Sequence, residues 1–139
     1  MQINKVTLKN FRNHIDKTVD FKSNINILVG NNGVGKTNIL EAIHLIATTK
    51  SIKAKYDKEL INVNQDFCTV NLFTQYDTLE LQVVKKEGLN NSTKKVKINK
   101  TPKSLNAFSG YFNCVLFAPS DVEFITGSHN AFFKFKNVL

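Results

Sequence analysis

Apolar and polar positions alternate from the start of the chain, with Val6 and Leu8 on one face, and a second short β-type run follows at Thr18-Val19-Asp20-Phe21. Between them, Asn10-Phe11-Arg12-Asn13-His14 predicts a polar connection of turn-forming residues. Ile25-Asn26-Ile27-Leu28-Val29 is more uniformly apolar, as a buried parallel strand would be, and is predicted as a third strand. It leads into a glycine-rich loop at 30–37. Beyond the loop, Ile39, Leu40, Ala42, Ile43, Leu45, Ile46 and Ala47 leave only a narrow polar stripe at Asn38, Glu41 and His44. A helix apolar almost all round predicts packing on several sides, which places this strand–loop–helix unit in the core.

The pattern then changes. A lysine-rich stretch at 50–56 precedes a short predicted helix, Asp57 to Asn62. Cys68, Val70 and Leu72 alternate with polar neighbours; so do Leu79, Leu81 and Val83, and, after a polar tip at 87–93, Val96 and Ile98. Short alternating strands joined by polar turns predict an antiparallel meander. Asn113 to Phe117 reads as another buried strand, followed by a capping box at Ser120 and Glu123 and a stop at Gly127. The expected organisation is a core over 1–62, the meander over 63–110, a core strand and short helix over 111–127, and an atypical tail over 128–139.

Length and charge narrow the classes. The 139 residues suit one domain, and 42% hydrophobic with 22% charged residues is ordinary globular usage. No apolar run is long enough to span a membrane, and the N-terminus lacks the layout of a secretory leader, so a soluble, cytoplasmic chain is expected. Cys68 and Cys114 lack paired ligand spacing and read as small buried hydrophobes. The net charge of +8 favours anionic partners. With Arg12 the only arginine, contacts to phosphate are favoured over base reading. Lys95 with Lys97, and Lys50, Lys53, Lys55 and Lys58, could track a phosphate backbone, although a solvated face explains either set equally well. No aromatic platform is expected beside them, because aromatics do not alternate with the lysines.

The chemistry lies in Gly30-Asn31-Asn32-Gly33-Val34-Gly35-Lys36-Thr37, a complete G-x4-G-K-[ST] phosphate-binding loop between an expected strand and a helix. The glycines permit tight turning, so that successive N–H groups face phosphate oxygens, and the helix adds its positive end. Lys36 supplies a charge for the β- and γ-phosphates, and the Thr37 hydroxyl suits a Mg²⁺ ligand. Hydrolysis also needs an acid after a buried strand. Asp121 comes nearest but fits helix-start electrostatics better than metal binding. His14 and His129 read as surface or loop residues, and His44 as a packing-edge residue. A kinase or GTPase is an alternative, with Asn99-Lys100-Thr101-Pro102 only a partial echo of a guanine-specific motif. A basic, non-functional nucleic-acid-binding remnant is another.

Several ordered blocks resemble one family. Leu8-Lys9-Asn10-Phe11-Arg12-Asn13, Asn26 through Gly33 and Gly35 through Ile43 resemble the N-terminal region of the bacterial RecF replication and repair family. Early Phe-Arg-Asn and the Asn and Glu-Ala after the loop are shared with the wider Rad50- and SMC-like heads. Lys50-Ser51 with Asp57-Lys58-Glu59-Leu60-Ile61, and Val115 through Val122 with Gly127-Ser128, resemble segments particular to RecF. The resemblance implies an α/β fold: a P-loop NTPase core like an ABC-ATPase head, an antiparallel β subdomain, and an incomplete head. It implies ATP and Mg²⁺ as cofactors, with residues 30 to 37 as the ATP phosphate site and Arg12 near the nucleotide. It also implies binding to single-stranded or gapped DNA, partnership with RecO and RecR, RecA loading, a link to the SOS response, and ATP-dependent homodimers of the full-length form. Ile52-Lys53 stands where the family has His-Arg, Ser120 replaces a glutamate, and residues 129–135 depart from its basic stretch. The coiled-coil arm, signature motif, Walker B acid and switch histidine have no counterpart in this sequence, so efficient ATP hydrolysis is not expected of this chain alone.

Overall fold

Two residues of turn, Arg12 and Asn13, separate the first two strands, β1 (Ile3–Phe11) and β2 (His14–Asp20), which pair antiparallel with Phe11 opposite His14. The computed structural model describes residues 1–22, 24–86 and 92–117. The Ser120/Glu123 capping box, Asp121, Gly127, His129 and the 128–139 tail lie outside the described residues, as does 87–91 of the polar tip.

The predicted meander forms as β3 (Phe67–Thr74), β4 (Thr78–Lys85) and β5 (Ser92–Ile98), extended by the short β6 (Thr101–Lys103). β1 pairs with β3, so the six strands of the described residues make one antiparallel sheet in the order β2-β1-β3-β4-β5-β6. The period of two sets its two faces. Val6 and Leu8, Cys68, Val70 and Leu72, Leu79, Leu81 and Val83, and Val96 and Ile98 all point to the inner face and are buried. The opposite face is polar and laced by cross-strand contacts: Asn71 Nδ2 donates to Thr7 Oγ1 at 3.0 Å, Lys97 pairs with Glu80 at 2.7 Å, and Lys5 lies over the Phe73 ring.

One helix, α1 (Lys36–Thr48), covers the inner face through Ile39, Ala42, Leu45 and Ile46. It ends where Thr49 turns left-handed (φ 59°) and donates its N–H to the Leu45 carbonyl. A second, four-residue helix, α2 (Leu105–Phe108), begins at Ser104, whose hydroxyl accepts the Ala107 N–H. It drives Phe108 into the core, and Gly110 N–H then bonds the Ala47 carbonyl.

Several expectations need correction. Residues 25–29 are not a strand: Ile25, Ile27 and Val29 are 81–88% exposed, and only Leu28 packs against the core. Residues 113–117 are not a strand either, with Val115 99% exposed. A uniformly apolar strand needs neighbours on both edges and cover on both faces. The described sheet offers neither: its strands all pair antiparallel with one another, and α1 packs on its inner face. Strand and helix therefore do not form one core unit, and Leu40 on α1 is exposed. The helix expected over 57–62 is a single 3₁₀ turn, Asp57–Leu60. Cys68 is buried as predicted, but Cys114 is only half-buried.

Candidate phosphate-binding site

The glycines at 33 and 35 adopt φ of 84° and 95°, values that side-chain-bearing residues avoid, and they fold 30–35 into a loop capping the start of α1. Gly35 is the N-cap. No side chain caps this helix end and no acidic residue occupies its first turn. A helix N-terminus lacks intrahelical partners for its first N–H groups and carries the positive end of the dipole. Uncapped and free of carboxylates, this end suits an anion. Lys36 Nζ reaches back over the loop and donates to the carbonyls of Gly30 (2.6 Å) and Asn31 (2.8 Å). The Thr37 side chain, in the first turn, is exposed. The eight residues of the motif are thus brought together, with the cation and the hydroxyl at one helix end.

The hairpin tip packs on this loop. Asn13 Nδ2 donates to the Gly33 carbonyl at 3.1 Å, the Asn38 amide donates to Asn13 Oδ1 at 2.9 Å, and His14 Nε2 lies 3.2 Å from the Gly35 carbonyl. His14, expected as a surface or loop residue, is instead buried at the start of β2. Two clefts flank the loop. One, of about 650 Å³, is lined by Arg12, Asn13, Asn38, Lys53 and residues 59 and 61–63. The other, of about 280 Å³, is lined among others by His14, Lys17, Val34 and Lys36.

Glu41 is the residue that sequence reasoning misplaced. Assigned to a polar stripe, it is fully buried. Arg12 grips it with two bonds, Nη2 to Oε1 at 2.7 Å and Nε to Oε2 at 2.9 Å, while Ser51 Oγ donates to Oε1 at 2.6 Å. Burial pushes the Glu41 carboxyl up, but the bonds from Arg12 and Ser51 and the charges of Arg12 and Lys53 outweigh it and leave it below the ordinary carboxylate range. Arg12 also donates to the Glu59 carbonyl at 2.9 Å and sits at φ 54°, a left-handed conformation that costs about 1–2 kcal/mol outside glycine. Its surroundings hold it there: Arg12 N–H bonds Leu60, Asn62 N–H bonds Asn10, and the Asn62 amide bonds the Arg12 carbonyl. An early arginine followed by a glutamate in an otherwise apolar helix was the available signal.

Two lysines of the sheet find acidic partners, Lys97 with Glu80 and Lys94 with Asp57. Lys94 pairs with Asp57 at 2.7 Å, so neither lies on a bare charged face. Among the aromatics near the lysines, Tyr56 is 47% exposed, with the Lys55 and Lys58 ammonium groups 5.5 and 5.9 Å from its ring centre. His44 keeps to the edge of α1, its Nδ1 3.3 Å from the Lys50 carbonyl. Among the described residues, no cluster of His, Cys, Asp or Glu forms a metal site, and no helix is long and apolar enough to cross a membrane.

The sequence profile of the AAA ATPase domain matches residues 1–134. The chain belongs to the AAA ATPase domain family. Within this ATPase family it resembles the N-terminal part of RecF. The DNA replication and repair protein RecF of Staphylococcus aureus strain JH9 is 38% identical over 132 residues, covering 92% of this chain and 34% of that protein, and RecF of strain Newman matches equally. The chain therefore spans about a third of the length of these relatives. A solved structure of the recombination mediator RecF with ATP superposes with a TM-score of 0.75 at 25% identity, covering 96% of this chain and 37% of that one. An SMC ATPase structure, from work on ATP-driven dimerization and DNA-stimulated activation, shares the fold at 17% identity, with a TM-score of 0.78 and 97% of each chain covered. The fold is thus that of a P-loop ATPase head in part, its described residues forming the antiparallel sheet and the loop–helix element.

Proposed function

We propose that this chain binds ATP through residues 30–37 as part of a RecF-like DNA replication and repair ATPase. The observation that carries the reading is the uncapped, carboxylate-free start of α1, wrapped by a glycine-shaped loop with Lys36 across it. The backbone N–H groups of the loop and the first helical turn would hold phosphate oxygens, Lys36 would exchange its loop carbonyls for phosphate, and Thr37 would offer its exposed hydroxyl to Mg²⁺. Bound ATP and Mg²⁺ would supply a polarised triphosphate. The name of the RecF–ATP complex and the family's ATPase name support the choice of nucleotide.

Within the same reading, the full-length protein binds single-stranded or gapped DNA, works with RecO and RecR to load RecA, serves the SOS response in the cytoplasm, and dimerises around ATP. The net charge of +8 supports the DNA contact, through phosphates rather than base edges. The name of the SMC structure supports the dimer. Efficient hydrolysis is not part of the proposal for these residues. Glu41, the first carboxylate after the loop in sequence, is fully engaged by Arg12 and Ser51.

Titration of the folded chain with Mg·ATP tests the site. Wild type should bind, and Lys36→Ala should weaken binding at least ~10-fold, as loss of a charge-assisted phosphate contact predicts. Equal affinity in Lys36→Ala would reject the phosphate-loop reading.

A further inference from the structure

The geometry points to the β1–β2 hairpin tip as a brace for the phosphate loop, with Asn13 and His14 as positioning residues that fix the anion cradle without touching the anion themselves. This rests on the phosphate-site reading above and goes beyond it, because both residues lie outside the motif, sixteen or more positions before it.

The contacts are specific to the loop's carbonyl side. Asn13 donates to Gly33 O and His14 Nε2 faces Gly35 O, the carbonyls of the two left-handed glycines. Each carbonyl shares its peptide plane with the next N–H, so holding Gly33 O and Gly35 O sets the direction of the Val34 and Lys36 N–H groups; the first turn of α1 holds Gly35 O as well, through the Asn38 and Ile39 N–H groups. Asn38 ties the same Asn13 to α1, so hairpin, loop and helix close a ring of hydrogen bonds.

The approach is close enough to constrain residue 35 a second way. A Cβ built on Gly35 would meet His14 Nε2 and Cε1 and lie 2.6 Å from Asn13 Oδ1. Glycine at 35 is therefore required by its φ and also by the hairpin seated against it. The hairpin itself is anchored: His14 is buried opposite Phe11, and Arg12 between them is locked to Glu41 and Glu59. A preorganised cradle binds more tightly because less ordering remains for the ligand to impose.

The test uses the full chain and two probes, Mg·ATP and inorganic pyrophosphate, with calorimetric titration and a thermal melt of each variant. His14→Leu and Asn13→Ala each remove one loop bond and should weaken both probes by about 3- to 10-fold. The loss should be equal for both, since the loop meets only phosphates. His14→Gln places an amide N–H near the Nε2 position and should restore affinity to within about 2-fold, which a role in general packing would not achieve. Asn13 is an exposed turn residue, so Asn13→Ala should fold and carry the test even where His14→Leu does not. Wild-type affinity for pyrophosphate in folded Asn13→Ala and His14→Leu, with Lys36→Ala still defective, would overturn the brace and leave the phosphate site standing. Failure of His14→Gln to recover affinity would overturn the hydrogen-bonding role of His14. Absence of binding by folded wild type would instead overturn the phosphate site itself, and the brace with it.

Discussion

Arg12→Ala would strand the Glu41 carboxylate in a pocket with no solvent access, leaving Ser51 as its remaining side-chain donor. Breaking a buried pair by removing one partner costs about 3–5 kcal/mol, because the other charge stays behind uncompensated. Glu41→Ala is the milder change. The Arg12 side chain is 19% exposed and keeps the Glu59 carbonyl, so water and one acceptor replace part of what it loses. Charge-assisted bonds are worth ~1.5–3 kcal/mol each, and with this partial replacement a loss of about 2 kcal/mol is expected. The ordering, arginine removal worse than glutamate removal, is set by which charge can reach solvent. The double variant should fall short of the sum by about 1–3 kcal/mol, as residues in direct contact do.

The pH dependence sharpens the test. In wild type the Glu41 carboxyl lies below its ordinary value, so its contribution is complete above pH ~4.5 and is lost as pH falls through the lowered value. Without Arg12, burial becomes the dominant influence and the carboxyl rises above its ordinary range. The variant then loses stability as pH rises, at up to about 1.4 kcal/mol per pH unit while the carboxyl is protonated only in the folded state. Urea unfolding of wild type and Arg12→Ala from pH 4 to 7, followed by circular dichroism, should show a gap that widens with pH. A pH-independent gap, or one smaller than that of Glu41→Ala, would refute this account of the pair.

Two further outcomes are expected. Burial pushes the Cys68 thiol up to about 12 and raises that of half-buried Cys114 to a lesser degree, so a disulfide reagent at pH 8 should modify Cys114 first and Cys68 only on unfolding; equal rates in the native protein would contradict the packing of β3. Val29→Thr should change stability by no more than about 0.5 kcal/mol, whereas Leu72→Ala, at the centre of the sheet, should cost ~2–5 kcal/mol. Comparable losses in denaturant unfolding would mean that residues 25–29 are packed, against their exposure here.

Alternation over 67–98 was enough to identify the inner face, because a pleated strand sends every second side chain the same way and nothing distant can alter that parity. Every alternating residue read as apolar and inward there is buried. The motif of the proposed phosphate loop is equally local: glycine spacing, lysine and threonine lie within eight consecutive positions. Uniformly apolar runs carried less information. Ile25–Val29 and Asn113–Phe117 resemble buried strands only if something covers them, and cover is a property of the whole assembly of elements rather than of the run.

The sequence by itself determined the parity of the meander, the helix after the loop and the glycine, lysine and threonine spacing of the loop proposed to bind phosphate, since each depends on neighbours a few residues apart. Tertiary structure decided what braces that motif. Arg12 meets Glu41 across 29 positions, and Asn13 and His14 meet Gly33 and Gly35 across 20 and 21. No periodicity links such residues. A glutamate on a polar stripe and a glutamate buried under an arginine read alike until the hairpin folds over the helix, and only then does burial turn a solvated charge into a fixed strut of the site.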